Sequence, residues 1–501
     1  MNLQKLPAQL KGVHIHCVGI KGTGVVALVE ILHARGAIIT GSDVEERFYT
    51  DEILEKLNIE PKPFSASNIT DDIKLVIYSS AYNPEVNPDL KQAVKKNIPI
   101  MLYTQALGSY SQNVFSCGVC GVHGKTTTTG LCGTIFKELD LAGQVLAGSI
   151  ISSFNGCTYT SENLEKLDSE QKSFFIAETC EYQRHFMSFC PKIIILTSVE
   201  SDHQDYYPTY ADIRDAFVDY ALKLPEGGTL IFCADDRGAV EVSKIVLEKR
   251  ADIKLIPYGF DAQGDYKIKF ERIENGKQFF SINAIGECAI CVPGTHNVKN
   301  AVAAIALNIE LLKTAGKNPI EYEKAIKKGL LAFTGGKRRS EVTGRAKTPL
   351  GQDVIFIDDY GHHPTAIKTT LAGFRDFYRD YKIIVDFMSH TYSRTSALLE
   401  DFAKSFESAD KVIINKIYGS ARENPLDAKV DGKILAEHTK KYHRDVIYCK
   451  EFDEAIECAY KMLCEPSGGS FKNGYIFVTM GAGNNWQVGT GLIQKLKDKE
   501  A

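Results

Sequence analysis

At 501 residues the chain is longer than one hydrophobic core ordinarily supports, so two to four domains are expected and three fits best. A composition of 44% hydrophobic and 24% charged residues with a net charge of -4 excludes a disordered chain, and with Lys337-Arg338-Arg339 as the longest basic cluster it excludes an extended nucleic-acid-binding face. No apolar run approaches the roughly 20 residues that cross a bilayer, and Met1 to Leu10 lacks an apolar signal core. A cytoplasmic protein acting on small molecules is expected, with no nucleic-acid or membrane partner.

The chain opens as a βαβ unit. Val13 to Val18 reads as a strand, a glycine turn follows, Val25 to Arg35 reads as a helix and Ala37 to Thr40 as a second strand. His14 and His16 alternate with apolar positions and read as ordinary strand residues. A strand at Leu75 to Tyr78 and an amphipathic stretch at Leu90 to Lys96 continue the alternation to about Ser109.

A second unit begins with the apolar strand Val114 to Cys120, followed at once by a glycine loop and a helical stretch. Strands at Ser173 to Ala177, Ile193 to Thr197 and Leu230 to Cys233 follow with helical patterns between them, which predicts a mostly parallel sheet. Lys254 to Val292 alternates and is polar, as an antiparallel appendage would be. Helices are expected at Asn297 to Thr314 and Ile320 to Leu331.

After Gly335-Gly336 and the basic triplet the alternation restarts, with strands at Asp353 to Ile357, Lys382 to Phe387, Lys411 to Asn415 and Tyr475 to Thr479. The predicted architecture is therefore α/β in three domains: residues 1–109, Rossmann-like; 110–340, P-loop ATPase-like with a mostly parallel sheet; and 341–501, Rossmann-like.

Thirteen cysteines are scattered along the chain without the spacing of a disulfide scaffold. The pairs Cys117/Cys120 and Cys288/Cys291 have zinc-ligand spacing, but in a strand an odd offset sends the two side chains to opposite faces.

The sharpest local signal is Gly121-x-x-Gly124-Lys125-Thr126-Thr127-Thr128 between a strand and a helix. Glycines let backbone N–H groups curl around phosphate oxygens, the helix N-terminus adds positive potential, Lys125 neutralises β/γ charge and the Thr126 hydroxyl reaches Mg²⁺. Val119, where the strict P-loop has its first glycine, marks a departure. Glu178 and Glu181 follow the next strand; they either hold Mg²⁺ against the nucleotide or are solvated loop charges, Glu181 more readily the latter. His203, after the strand ending at Thr197, either ligates a second metal or caps its turn. The first loop, Gly19-x-x-Gly22-Thr23-Gly24 with Asp43 further on, is not the dinucleotide order G-x-G-x-x-G, so a redox cofactor is not indicated.

The order of motifs resembles the Mur ligase family across most of the chain. The matching stretches are Gly19 to Gly24, Gly41-Ser42-Asp43, the phosphate loop, Ala177-Glu178, Glu200 to Asp205, Gly294 to Asn297 with Asn300, Arg338-Arg339, Asp358 to Pro364, Ser389-His390 with Ser393-Arg394-Thr395, and Gly481 to Asn484. The resemblance implies an ATP-dependent ligase that activates a carboxylate as an acyl phosphate and joins it to the amino group of an amino acid. UDP-N-acetylmuramate or a similar UDP-sugar acid would be the donor and L-alanine or another amino acid the acceptor, with ATP and Mg²⁺, in peptidoglycan precursor synthesis; the oligomeric state is left open.

It also implies roles. Gly121, Gly124, Lys125, Thr126 and Thr127 would hold ATP phosphates, and Thr126, Glu178 and His203 the metal. Asn297 and Asn300 would contact the nucleotide, Arg339 the γ-phosphate, and Asp359 would fix the nucleotide from the third domain. Gly19, Gly22, Thr23, Gly24, Asp43, Ser79 and Ser80 would take the UDP-sugar, His390 and Arg394 the acceptor carboxylate, and His362 or His363 would orient or deprotonate the amine, although a turn before Pro364 would account for both histidines equally.

Five positions depart from the family pattern: Lys21, which could pair with a diphosphate; Cys180; Thr391, where an arginine would help hold the acceptor; and Asn485-Trp486, with Trp486 expected to pack. A paralogue with another acceptor or donor would show such changes. A nucleotide-binding regulatory protein without turnover is a third reading, and a dehydrogenase using the N-terminal domain a fourth.

Overall fold

The computed structural model describes residues 5–164, 172–204, 206–419, 423 and 429–500; Asp205, in one of the matching stretches, lies outside them. The chain divides into two compact units, Met1–Phe270 with Phe280–Cys288 and Lys299–Thr334, and Glu271–Phe279 with Ala289–Val298 and Gly335–Ala501.

The first unit carries two sheets. The N-terminal one has four parallel strands in the order Ile38–Ser42, His14–Val18, Leu75–Tyr78, Ile100–Leu102. The helix Thr23–Ala34 follows the glycine turn and buries Val25, Val26, Leu28, Val29, Ile31 and Leu32. Such a helix, apolar on most sides, belongs between layers rather than on a surface.

The second sheet has seven strands in the order Lys254–Tyr258, Thr229–Cys233, Ile193–Leu196, Phe115–Cys120, Phe174–Glu178, Gly143–Ile151, Gly156–Thr160. All neighbours are parallel except the last pair. Its central strands are continuous apolar runs, as strands covered on both faces must be. Lys254–Tyr258 was expected in an antiparallel appendage; it extends this sheet instead, in parallel register with Thr229–Cys233. The alternation that suggested an antiparallel appendage reflects its position at the sheet's edge. The appendage is the three-stranded sheet Ile268–Glu274, Lys277–Ile282, Gly286–Ile290.

The second unit is built on six strands in the order Glu341–Lys347, Asp353–Asp359, Gly474–Gly481, Tyr381–Met388, Lys411–Ile414, Val446–Tyr448. Only the first pair is antiparallel. Gly474–Gly481 is buried at every position and sits at the centre. The loops leaving the carboxyl ends of the three central strands carry Tyr360 to His363, Ser389-His390 and Ala482 to Asn485. Among the described residues no helix is long and apolar enough to cross a membrane.

Candidate active site

The strand Phe115–Cys120 ends in the loop that opens the helix Lys125–Lys137, with Gly121 at φ 134° and Gly124 at φ 81°. A β-carbon at Gly124 would stand 2.8 Å from the Asn300 side-chain oxygen, so positive φ and close approach both require glycine there. The neighbouring strand pins the loop: Val122 and His123 N–H groups donate to the Ser198 carbonyl and hydroxyl, each at 3.0 Å. Thr126 is buried and Thr127 half-buried on the first turn.

Glu178 is the last residue of its strand, opposite Val119. Its carboxylate accepts the Thr126 hydroxyl at 3.2 Å and the Gly148 N–H at 2.7 Å. Glu181, the carboxylate that looked more like a solvated loop charge, is instead the buried hub of the site, 2% exposed. It pairs with the Lys125 ammonium at 2.9 Å and lies 3.4 Å from His203 Nε2. Burial alone would suppress both charges of the pair; Glu181 nonetheless holds Lys125 above the ordinary ammonium range, and Lys125 with His203 holds Glu181 below the ordinary carboxylate range. His203 sits at φ 53°, its ring 4.7 Å from that of Tyr182.

Thr126 Oγ1 and the Glu178 carboxylate are hard oxygen donors at a helix N-terminus, the set that suits Mg²⁺ shared with phosphate oxygens and does not suit a soft metal. Lys125 Nζ also donates to the Gly121 carbonyl and to that of Val122 at 3.3 Å, so the ammonium is tethered over the loop.

In the N-terminal sheet Gly19 has φ 78°, and a β-carbon there would stand 2.9 Å from Ser79 Cβ. Its N–H donates to the Ser42 carbonyl at 2.8 Å. Asp43 accepts the Lys21 N–H at 2.7 Å and the Tyr82 hydroxyl at 2.9 Å, binding the glycine loop to the loop that carries Ser79 and Ser80. Gly24 packs against Tyr103, and Thr23 Oγ1 lies 2.6 Å from the Tyr49 hydroxyl. Lys21, whose charge the sequence offers to a diphosphate, has an internal counter-ion in this structure: its Nζ donates to the Glu46 carbonyl at 2.8 Å and lies 3.3 Å from Asp51, as a buried ammonium requires.

In the second unit Asp359 accepts N–H groups from Ser340 at 2.7 Å and Gly361 at 2.8 Å, and burial raises its carboxyl above the usual range. The guanidinium of Arg339 lies 5.1 Å from the Tyr360 ring centre and that of Arg338 5.3 Å. Arg338 reaches Asp358 at 2.9 Å and the carbonyls of Gly481 at 2.7 Å and Gly483 at 2.8 Å. The His362 and His390 rings meet edge-on with ring centres 5.9 Å apart, and His390 stacks on Tyr418. His363 is buried and caps the helix Pro364–Phe377, the structural role left open for it. Arg394 is buried and donates to the His390 carbonyl at 3.0 Å. Thr391 turns its hydroxyl to Ser393 at 3.0 Å. The Asn297 amide donates to the Pro293 carbonyl at 2.7 Å.

Two residues singled out as departures have a structural account. Asn485 is buried, and its amide donates to the Asp386 carboxylate at 3.0 Å and to the Asp386 and Met480 carbonyls at 3.1 Å each. Trp486 was expected to pack; it is 44% exposed at the start of the helix Trp486–Glu500, the inward position being taken by Asn485. Asp386 went unnoticed, although an acid inside the apolar run Ile383 to Met388 is a visible signal.

Family models match along the chain in three blocks: the Mur ligase family catalytic domain at residues 14–114, the Mur ligase middle domain at 119–308 and the Mur ligase glutamate ligase domain at 338–483. The UDP-N-acetylmuramate–L-alanine ligase of Treponema pallidum is 45% identical over 99% of both chains, and that of Desulfitobacterium hafniense 35% identical over 96% of this chain and 99% of its own. Among solved structures, the UDP-N-acetylmuramate–alanine ligase of Thermotoga maritima superposes with a TM-score of 0.72 at 23% identity over 97% of this chain and 99% of that one, a likeness of fold. The chain belongs to the Mur ligase family, with that family's three-domain α/β architecture.

Proposed function

We propose that this chain is a cytoplasmic ligase that uses ATP to activate the carboxylate of UDP-N-acetylmuramate and joins it to L-alanine, in peptidoglycan precursor synthesis. What carries the reading is the end-to-end likeness to the alanine ligases, 45% identical over 99% of the chain in Treponema pallidum. Residues 1–109, 110–340 and 341–501 are the three functional domains of this reading.

A carboxylate is a poor electrophile. Transfer of the γ-phosphoryl group gives it a good leaving group; the amine then attacks, and the tetrahedral intermediate expels phosphate. The chain's own contribution is alignment and charge neutralisation. Lys125 and the amides from Gly121 to Thr127 cradle the phosphates, and Arg339 supplies a second cation for the γ-phosphate. Thr126 and Glu178 would hold Mg²⁺, which would screen phosphate charge, and His203, beside Glu181, would ligate a second metal ion. Asn300, beside Gly124, contacts the nucleotide, as do Asn297 and Asp359. The Gly19, Gly22, Thr23, Gly24 loop takes the UDP-sugar diphosphate with Ser79 and Ser80, Asp43 holding that loop in shape. His390 and Arg394 orient the acceptor carboxylate, and His362 takes the amine proton.

The test is phosphate release from ATP and Mg²⁺ with UDP-N-acetylmuramate across the proteinogenic amino acids, with Lys125→Ala as control. Turnover that requires the sugar nucleotide and is fastest with L-alanine supports the reading. Turnover with another amino acid moves the chain to a diverged specificity, for which Thr391 is the motivating residue, and no turnover with any pair removes the ligase reading.

A further inference from the structure

A row of rings joins the Gly19–Gly24 loop to the ion pair at the phosphate loop. Tyr103 follows the carboxyl end of the strand Ile100–Leu102 and opens the helix Tyr103–Gln112. Its ring lies against Gly24: a β-carbon there would stand 2.8 Å from Tyr103 Cε2 and 3.3 Å from the hydroxyl. Tyr103 also meets the His185 ring edge-on, with ring centres 6.3 Å apart. His185 meets Tyr182 in the same way at 6.4 Å, and Tyr182 lies 4.7 Å from His203, which neighbours Glu181 and through it Lys125. All four rings are half-buried, so each keeps an open side.

The row is held in place at both ends. The Cys190 N–H donates to the Ser111 hydroxyl at 2.9 Å, tying the helix of Tyr103 to the segment that carries His185. The helix behind the glycine loop is tied to the seven-stranded sheet by Arg35, which donates to Gln144 at 3.2 Å and Ser173 at 3.0 Å, and by Glu30, which accepts the Cys157 N–H at 3.1 Å. A ligand that reaches from one loop to the other therefore lies along the rings.

The chemistry of the row suits a neutral group. Burial pushes the Tyr103 phenol up to about 12, so it remains an O–H donor at neutral pH, and burial lowers the His185 imidazole, so it remains uncharged there. Among the described residues neither the Tyr103 hydroxyl nor the His185 ring has a hydrogen-bonding partner. An amphipathic ring offers a ligand an apolar face and a polar tip, and a few such tips fix its orientation.

We propose that Tyr103 and His185 recognise the sugar ring of the donor, between the diphosphate on the Gly19–Gly24 loop and the carboxylate at the γ-phosphate. The inference rests on the UDP-sugar acid reading above. It makes these two residues determinants of donor specificity, because the sugar's hydroxyl and acetamido groups are what a neutral phenol and a neutral imidazole read.

The experiment is calorimetric titration of the full-length protein with UDP-N-acetylmuramate and, separately, with UDP, which keeps the diphosphate and lacks the sugar. Tyr103→Ala and His185→Ala are expected to bind UDP-N-acetylmuramate about tenfold more weakly, the effect of losing one or two hydrogen bonds, and to bind UDP as the wild type does. Tyr103→Phe keeps the ring and is expected to lose a smaller part of the affinity for UDP-N-acetylmuramate alone; it decides the matter if the alanine variants fail to fold. Equal losses for the two ligands would overturn the proposal, since the pair would then only hold Gly24 in place, and so would unchanged affinity for UDP-N-acetylmuramate. Wild-type protein that does not bind UDP-N-acetylmuramate would overturn the donor reading and this inference together, whereas the wrong pattern in the variants touches only this one.

Discussion

Lys125 and Glu181 form a buried ion pair at 2.9 Å in the space that the phosphate loop encloses. Truncating one partner of such a pair leaves the other as an uncompensated buried charge. Glu181→Gln should therefore lower the stability of the nucleotide-free protein by on the order of 3 kcal/mol. Nucleotide phosphates can take the place of the lost carboxylate beside Lys125, so ATP should raise the thermal midpoint of the variant more than that of the wild type. An equal nucleotide shift in the two proteins would mean that the pair does not respond to phosphate.

The pair also sets a pH response. Glu181 has its folded pKa below the unfolded value, so its contribution is present above the unfolded value and lost as pH falls through the folded one; Lys125 is raised, so its contribution is lost only as pH climbs through a value above the ordinary ammonium range. Urea titrations should show Glu181→Gln keeping its disadvantage through neutral pH and losing it only at the strongly acidic and strongly alkaline ends.

Gly148 lies against Glu178, and a β-carbon there would stand 2.6 Å from both carboxylate oxygens. The Gly148 N–H holds the same carboxylate in place for Thr126. Gly148→Ala should displace Glu178 while sparing the fold, raising the KM for MgATP about tenfold, as loss of an orienting partner around a metal ligand does. Steady-state kinetics over MgATP, with circular dichroism as the fold control, check it; an unchanged KM would separate Glu178 from nucleotide binding.

Asp386 is buried and receives the amides of Asn415 and Asn485, each at 3.0 Å. Burial outweighs these bonds and pushes its carboxyl up to about 7. A folded pKa raised above the unfolded one makes stability greatest at low pH and lost as pH rises through that value. The thermal midpoint should fall from about pH 4 to about pH 7 and level off above, and Asp386→Asn should flatten that slope. A slope unchanged in the variant would assign it to another group.

Asp43 joins the glycine loop to the loop beyond Leu75–Tyr78 through Lys21 N–H and the Tyr82 hydroxyl. Asp43→Ala should loosen the loop and raise the KM for UDP-N-acetylmuramate about tenfold, with the KM for ATP unchanged, because misplaced binding groups act on the ligand they touch. Parallel KM measurements for the two substrates check the split.

Much of this was legible in the sequence, for local reasons. Gly121 to Thr128 reads as a glycine turn between an apolar strand and a helix, and the structure has that turn, because strand period and glycine freedom both act over a few residues. The side chains gathered around it were harder to rank. Glu178 and Glu181 look alike in the sequence, and only the path of the chain after the strand brings Glu181 against Lys125. Lys21 and Trp486 were as hard to place: Lys21 finds its counter-ion in Asp51 on another element, and at the start of the last helix it is Asn485, held by Asp386, and not its neighbour Trp486 that turns inward. The edge strand Lys254–Tyr258 misled because polar alternation at a sheet's rim imitates a hairpin.

Arg338 gives its guanidinium to Asp358 and to the carbonyls of Gly481 and Gly483, and its carbonyl to the Tyr360 N–H at 2.7 Å. The short connection from Gly335 to Ser340 is therefore stitched into the carboxyl-terminal sheet rather than strung loosely in front of it. Anyone cutting the gene to express that sheet alone should place the scissors before Gly335, since a fragment starting at Glu341 would leave a buried carboxylate and the carbonyls of Gly481, the last residue of the central strand, and of Gly483 just beyond it without the arginine that closes them.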